Sequence, residues 1–344
     1  MARPTLGHLD PEFLEILDQV GEGLRRTFGT RNRTTFPVSG TGSAGMEASM
    51  VNLLEEGDTA IVGVNGVFGT RLAEMARRNG AHVVQVEAEW GAPVEPGRLI
   101  EAHRGHPDAR VLAVVHAETS TGVRQPMAEL GDHLRNTDTL FVVDAVTSLG
   151  GIPVEVDRWG VDVCYSGTQK CLGVPPGLAP ITFSERAVER IRSRKSPVAS
   201  WYLDVTLISG YLGSERRYHH TAPINMIYAL HEALSELEEE GLEARHRRHE
   251  AVGRRLQSEL QDRGFRSFTD EAHRLPQLTA VHLPGERQEG PPRAALLSEH
   301  GIEVGGGLGP ATGRIWRIGL MGHGARDESV DRLLDAVDSV LAAG

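Results

Sequence analysis

Apolar positions recur along this chain at two periods, and the places where each period begins and ends outline a fold. Phe13, Leu14, Leu17, Val20, Leu24 and Phe28 follow one another in steps of three and four, the spacing of one helical face. Asp10 and Pro11 supply its start, an acid at the N-cap and a proline at the first helical position. A second helix is expected over residues 46–56, closed by Gly57-Asp58. From there short apolar runs alternate with helical stretches, at 59–63, 82–86, 111–115, 140–143, 161–165 and 178–183. Runs that are apolar throughout and separated by helices predict a mostly parallel sheet covered by helices on both faces.

Periodicity fades over 193–218, where Trp201, Tyr202, Tyr211 and Tyr218 gather, so an irregular connection at an interface or pocket edge is expected. A helix over 223–240 follows, with Ile224, Ile227, Leu230, Leu234 and Leu237 as its stripe. The next, over 243–263, is so charged that it is expected to expose most of its surface. Strands near 278–283 and 315–320 and a last helix carrying Val330, Leu333, Leu334, Val337, Val340 and Leu341 read as a smaller α+β unit. Linker-like composition is confined to 285–292, and no internal repeat is present. The fold class is therefore α/β: an N-terminal helix over 1–30, a large domain over 31–240 and a small C-terminal α+β domain over 241–344. With 344 residues, 40% of them hydrophobic, the chain has enough apolar surface for a core of this size.

Charge narrows the partners. The formal net charge of -11 leaves no global basic field for nucleic acid or an anionic membrane, so an anionic ligand must be caught locally. The start of the chain lacks the apolar core of a secretory signal, and no apolar run approaches the ~18 residues of a membrane span. The two cysteines, Cys164 and Cys171, form neither a metal-ligand set nor a disulfide framework and read as reduced thiols. A cytoplasmic protein is expected, with no metal, nucleic-acid or membrane partner.

The chemistry centres on Lys170, which ends the run 161–170 and precedes the stiff Pro175-Pro176-Gly177, so turn geometry holds it in place. Upstream, the strand over 140–143 delivers Asp144 at its carboxyl end, where open α/β sheets keep their ligands. A held lysine and a strand-end acid are what a pyridoxal 5'-phosphate (PLP) enzyme requires: an amine to form a Schiff base and an acid to keep the pyridinium nitrogen protonated. The turn 39–45 leads into a helix and converges amides and hydroxyls where an anion is favoured. Through Gly40, Gly42 and Gly45 it also matches the dinucleotide fingerprint, but the following strand supplies no acid for a ribose. Phe68, among glycines after a strand end, suits either stacking on a flat ring or ordinary core packing. The hydroxyls of 116–122 fall at the same sheet edge. His219-His220 has no third ligand to make a metal site. Arg317, inside an apolar strand, needs a carboxylate, from a substrate or from an internal salt bridge.

In their order these residues resemble the alanine-glyoxylate and serine-glyoxylate aminotransferases of the class V, fold type I PLP enzymes. The resemblance runs almost the full length and is most specific over 143–151, 165–170 and 175–177. It implies Lys170 as the internal aldimine and as the base that moves a proton between Cα and the cofactor. It implies Asp144 on the pyridinium nitrogen, Val146 and Phe68 on opposite ring faces, and Thr119 on the phenolic oxygen. Thr41, Gly42, Ser43 and Gln169 would hold the phosphate, joined by Tyr218 and Thr221 from the neighbouring subunit of a homodimer. Arg317 would bind the substrate α-carboxylate. Some relatives carry histidine in place of Ser43 and tryptophan in place of Phe68, and Met1 falls where a Gly- and Pro-rich N-terminal arm normally ends, so a more open pocket is expected.

The activity implied is transfer of the amino group of a small amino acid, alanine or serine, to glyoxylate or pyruvate. Pyridoxamine-pyruvate or 2-aminoethylphosphonate transamination on the same fold is the alternative, and an inactive binding or scaffold homologue is another. A desulfurase or lyase would need a mobile cysteine facing the cofactor, which neither Cys164 nor Cys171 provides.

Overall fold

The computed structural model describes residues 3–213, 215–285 and 287–342. In chain order its elements are α1 (Pro11–Phe28), β1 (Thr34–Ser39), α2 (Gly42–Leu53), β2 (Thr59–Val64), α3 (Val67–Arg78), β3 (His82–Glu87), α4 (Pro96–Gly105) and β4 (Val111–Val115). Then come β5 (Ala117–Glu118), β6 (Val123–Arg124), α5 (Ala128–Leu134), β7 (Leu140–Asp144), α6 (Val156–Trp159), β8 (Val163–Tyr165), β9 (Leu178–Phe183), α7 (Glu185–Arg192) and α8 (Val205–Leu212). The last are α9 (Ile224–Glu240), α10 (Leu242–Asp262), β10 (Arg266–Ser267), β11 (Leu278–His282), α11 (Gly290–His300), β12 (Gly305–Gly306), β13 (Trp316–Gly319) and α12 (Asp327–Ala342).

Seven strands form one sheet in the order β1-β9-β8-β7-β4-β2-β3. Strands β3, β2, β4, β7 and β8 pair in parallel, and β9 runs antiparallel to both β8 and β1. Every residue of β4 and β7 is buried, which is why both read as uninterrupted apolar runs. The strand period of two splits their side chains between the faces. Leu112, Val114, Phe141 and Val143 join a core with Phe13, Leu17 and Leu24 of α1, whereas Ala113, Val115 and Val142 join Met46, Met50 and Leu72 of α2 and α3. A second, antiparallel sheet, β10-β11-β13-β12, packs Trp316 and Ile318 against Leu256, Val330, Leu333 and Val337 of α10 and α12.

Local rules hold at the first helix: the Asp10 carboxylate accepts the Glu12 N–H at 2.9 Å. Elsewhere tertiary context overrides the pattern. Strand β1 sits in a stretch that reads as a polar loop; its Thr-rich edge position and Pro37 hide the strand signal. Helix α2 begins at Gly42, not at 46, so the glycine turn is the helix's own first turn. The segment expected to be irregular contains α8, capped by Asp204, whose carboxylate accepts from Thr206 N–H at 2.8 Å. The strand expected over 161–165 is shortened to β8, and α11 starts inside the linker-like stretch. Helix α10 does not expose most of its surface: Arg245 and His249 are buried. Arg245 pairs with Glu240 at 3.0 Å and donates to the Cys171 carbonyl at 2.9 Å, contacts that composition alone does not reveal.

Candidate active site

The carboxyl ends of β4, β7 and β8 lie in register, Val115 beside Asp144 and Asp144 beside Tyr165, and a crevice opens beyond them. All the cofactor-binding residues expected up to position 170 line it: Thr41, Gly42 and Ser43 at one end, Phe68, Thr119 and Val146 along its walls, and Asp144, Gln169 and Lys170 at its base and rim.

Asp144 is buried, and its two oxygens accept from the Val146 N–H at 2.8 Å and the Tyr165 O–H at 2.9 Å. Burial pushes the carboxyl up to about 7, against those two donors; the Glu118 charge adds to burial and the Arg71 charge opposes it. A buried acid in this state is set to gain from a cation placed in the crevice. Tyr165 is the partner that sequence reasoning missed; its position opposite Asp144 becomes visible only through the β7–β8 register.

Thr168 fixes the turn that carries Lys170. Its N–H donates to the Leu178 carbonyl at 3.2 Å and its hydroxyl to Pro175 at 2.9 Å, while Val174 N–H returns a bond to Thr168 at 3.0 Å. Lys170 itself is half-buried. Burial lowers its amine, with Arg317 acting in the same direction and Cys171 and Asp144 opposing. Neither thiol competes as a nucleophile: burial pushes Cys171 up to about 12 and Cys164 well above its ordinary value.

At the other end, Thr41 occupies the N-cap of α2 with extended backbone but gives no side-chain cap; Ala44 N–H turns back to the Thr41 carbonyl at 2.7 Å, and Gly42 and Ser43 line the crevice. Gly42 is required there, because a Cβ would come within 2.9 Å of Val146 Cγ2. Arg71, absent from the sequence expectations, also lines the crevice, and its Nη1 donates to Ser43 Oγ at 3.3 Å.

Phe68 is set by a buried carboxylate. Glu118 accepts from the N–H groups of Phe68 at 3.0 Å and Gly69 at 3.2 Å, in the first turn of α3, and from the Ser120 hydroxyl at 2.5 Å. Burial raises the Glu118 carboxyl in spite of these donors. A Cβ at Gly66 would fall 2.4 Å from both Glu118 Cδ and Ser120 Oγ. Gly66→Ala is therefore expected to destabilise the protein by about 2–3 kcal/mol, through overpacking, and to displace Phe68. Thermal melting together with cofactor titration checks this; a variant matching wild type in both would refute the placement.

Arg317 sits in β13, its Nε donating to the Gly306 carbonyl at 2.7 Å and its Nη1 to the Thr119 carbonyl at 3.2 Å. Among the described residues no acid pairs with it, so the internal salt bridge is not formed. Tyr218 and Thr221 do not line the crevice; both are exposed, with their hydroxyls 3.5 Å apart. His219 and His220 face each other through Nδ1 atoms at 2.8 Å, His219 stacks on Trp201, and His220 Nε2 meets Ser39 Oγ at 2.7 Å. Among the described residues no group of three potential ligands could hold a metal, and no helix is long and apolar enough to cross a membrane.

These residues fit PLP. The crevice offers a half-buried amine, a buried acid with no salt bridge among the described residues, an aromatic face and a helix N-terminus without a side-chain cap. Comparison with known proteins agrees. The description of the class V aminotransferases matches residues 2–333, and the chain belongs to that family of PLP-dependent enzymes. It is 39% identical to the (S)-ureidoglycine–glyoxylate transaminase of Bacillus subtilis, covering 99% of this chain and 86% of that protein. Against the alanine–glyoxylate aminotransferase of Drosophila melanogaster it is 40% identical, covering 99% and 88%. The crystal structure of alanine–glyoxylate aminotransferase from Nostoc sp. superposes with a TM-score of 0.97 at 47% identity, covering 98% of this chain and 90% of that one.

Proposed function

We propose that this enzyme moves the amino group of a small amino acid, alanine or serine, to glyoxylate or pyruvate, with Lys170 as the residue that binds PLP. The observation that carries this reading is Arg317, a guanidinium tied to the crevice through Thr119 and lacking an acid partner among the described residues. It offers the α-carboxylate of an amino acid a cation that forms no salt bridge among the described residues. Glyoxylate is common to the names of the three similar proteins described above, which supports it as acceptor; the donor differs among them.

When bound, PLP supplies an electron-withdrawing ring that makes a neighbouring Cα–H acidic. Asp144 keeps the ring nitrogen protonated, and its two hydrogen bonds fix the carboxylate's direction. Phe68 and Val146 confine the ring plane. Thr119 would contact the phenolic oxygen, and Thr41, Gly42, Ser43 and Gln169 would hold the phosphate. Lys170, its amine lowered by burial, accepts and returns the proton at Cα. Tyr218 and Thr221, exposed and outside their own crevice, would complete a neighbouring subunit's phosphate site in a homodimer, as the family resemblance implies. A cytoplasmic location suits its two free thiols.

Half-reactions test the reading: cofactor-loaded protein should change its absorbance on addition of L-alanine or L-serine and recover it with glyoxylate or pyruvate. Including (S)-ureidoglycine, pyridoxamine and 2-aminoethylphosphonate as donors ranks the alternatives, and a spectrum that no amino donor shifts would overturn the proposal. Arg317→Met should lower kcat/KM for the amino donor by roughly 10- to 100-fold, the worth of a lost charged hydrogen bond. Cofactor affinity should stay at the wild-type value; an unchanged KM would remove Arg317 from this role.

A further inference from the structure

We infer that Arg71 is part of the anion cradle for the cofactor's phosphate, a role that rests on the PLP reading above. Arg71 lies on α3 one turn beyond Phe68, so both side chains share a helical face. Its guanidinium carbon sits 5.1 Å from the Phe68 ring centroid, which places the planar cation beside the aromatic wall. From there Nη1 donates to Ser43 Oγ at 3.3 Å, in the first turn of α2.

That position is electrostatically unfavourable as it stands. The N-terminus of a helix carries positive partial charge, so a guanidinium against it is repelled unless an anion lies between them. Among the described residues no acid fills that place: Glu74, three positions on, pairs with Arg77 and Arg78 and not with Arg71. A phosphate dianion at the α2 N-terminus, which has no side-chain cap, would meet the positive end of the helix and the guanidinium together. Because Ser43 Oγ accepts from Arg71, its own proton is free for the same anion. Arg71 lines the same crevice as Asp144 and Lys170.

The test separates the phosphate from the rest of the cofactor. Cofactor-free wild type, Arg71→Met and Arg71→Lys are each titrated with PLP and with pyridoxal, which lacks the phosphate, and binding is followed by absorbance. Arg71→Met should weaken PLP by roughly 10- to 100-fold and leave pyridoxal unchanged. Arg71→Lys, which keeps the charge without the planar fork, should fall between Met and wild type. Equal losses for both compounds would mean that Arg71 merely supports Phe68, and an undiminished PLP affinity would mean that it touches nothing; either result overturns the assignment. Pyridoxal binding doubles as the check that each variant is folded. If wild type bound neither compound, the PLP reading itself would fall, and the role of Arg71 with it.

Discussion

Lys170→Ala is expected to lose transamination by about 10,000-fold or more, the upper range for a single positioned proton-transfer group, while still retaining PLP. Retention follows from the distribution of contacts. Asp144, Phe68, Val146, Thr119 and the first turn of α2 line the crevice independently of the lysine, and none of them depends on it for its own placement. The turn should also survive, because its hydrogen bonds run through Thr168, Gly173 and Val174 and through the backbone of residue 170 alone. Loss of the visible absorbance of lysine-bound cofactor should therefore accompany retention of a cooperative melting transition. The cofactor-free variant should be slightly more stable than wild type near neutral pH. The sign follows from the depressed amine: with its folded pKa below its unfolded value, a charged Lys170 opposes folding, and stability returns only as pH rises through the window between the two. Normal turnover in Lys170→Ala would end the proposal that this lysine is the reacting amine.

What could be read from the chain, and what could not, follows from where each signal resides. Strands buried on both faces announce themselves as apolar runs, so β4, β7 and β9 lie where the pattern places them. Edge strand β1, half polar and holding Pro37, carries no such run and was legible only through its pairing with β9. Site residues next to strand ends were legible because strand end and chemistry coincide in one short segment, as at Asp144 and Thr119. Arg71, Tyr165 and Glu118 were not, because each acts on a residue far away in sequence: Arg71 on Ser43, Tyr165 on Asp144, Glu118 on Phe68. An arginine on an amphipathic helix reads as solvated surface until the fold sets it against another helix's first turn. Buried Arg245 makes the same point in reverse, since among the described residues its guanidinium is met by the Cys171 carbonyl and Glu240, both on other elements or turns.

Asp144→Asn should lower kcat by roughly 100- to 1,000-fold, the range for removing one fixed electrostatic group from a reacting centre. The substitution keeps the shape of the site. The amide oxygen can still accept from Val146 N–H, and the new NH2 can donate to the Tyr165 oxygen in place of accepting from it. What is lost is the negative charge that keeps a ring nitrogen protonated. The same loss should act oppositely on the cofactor-free protein. Burial raises the folded carboxyl from 3.8 to about 7, so ionising it opposes folding: stability is fully present below the unfolded value and is lost as pH rises through about 7. That penalty is on the order of 4 kcal/mol above the window, and the asparagine variant does not carry it. Cofactor-free Asp144→Asn should thus melt above wild type at pH 8 and close to it at pH 4, whereas PLP should stabilise wild type far more than the variant. Melting curves at the two pH values, with and without PLP, give four comparisons from two proteins. A variant with wild-type kcat, or one whose advantage over wild type does not grow from pH 4 to pH 8, would contradict the picture of Asp144 as a buried acid whose proton is displaced by the cofactor's own positive charge.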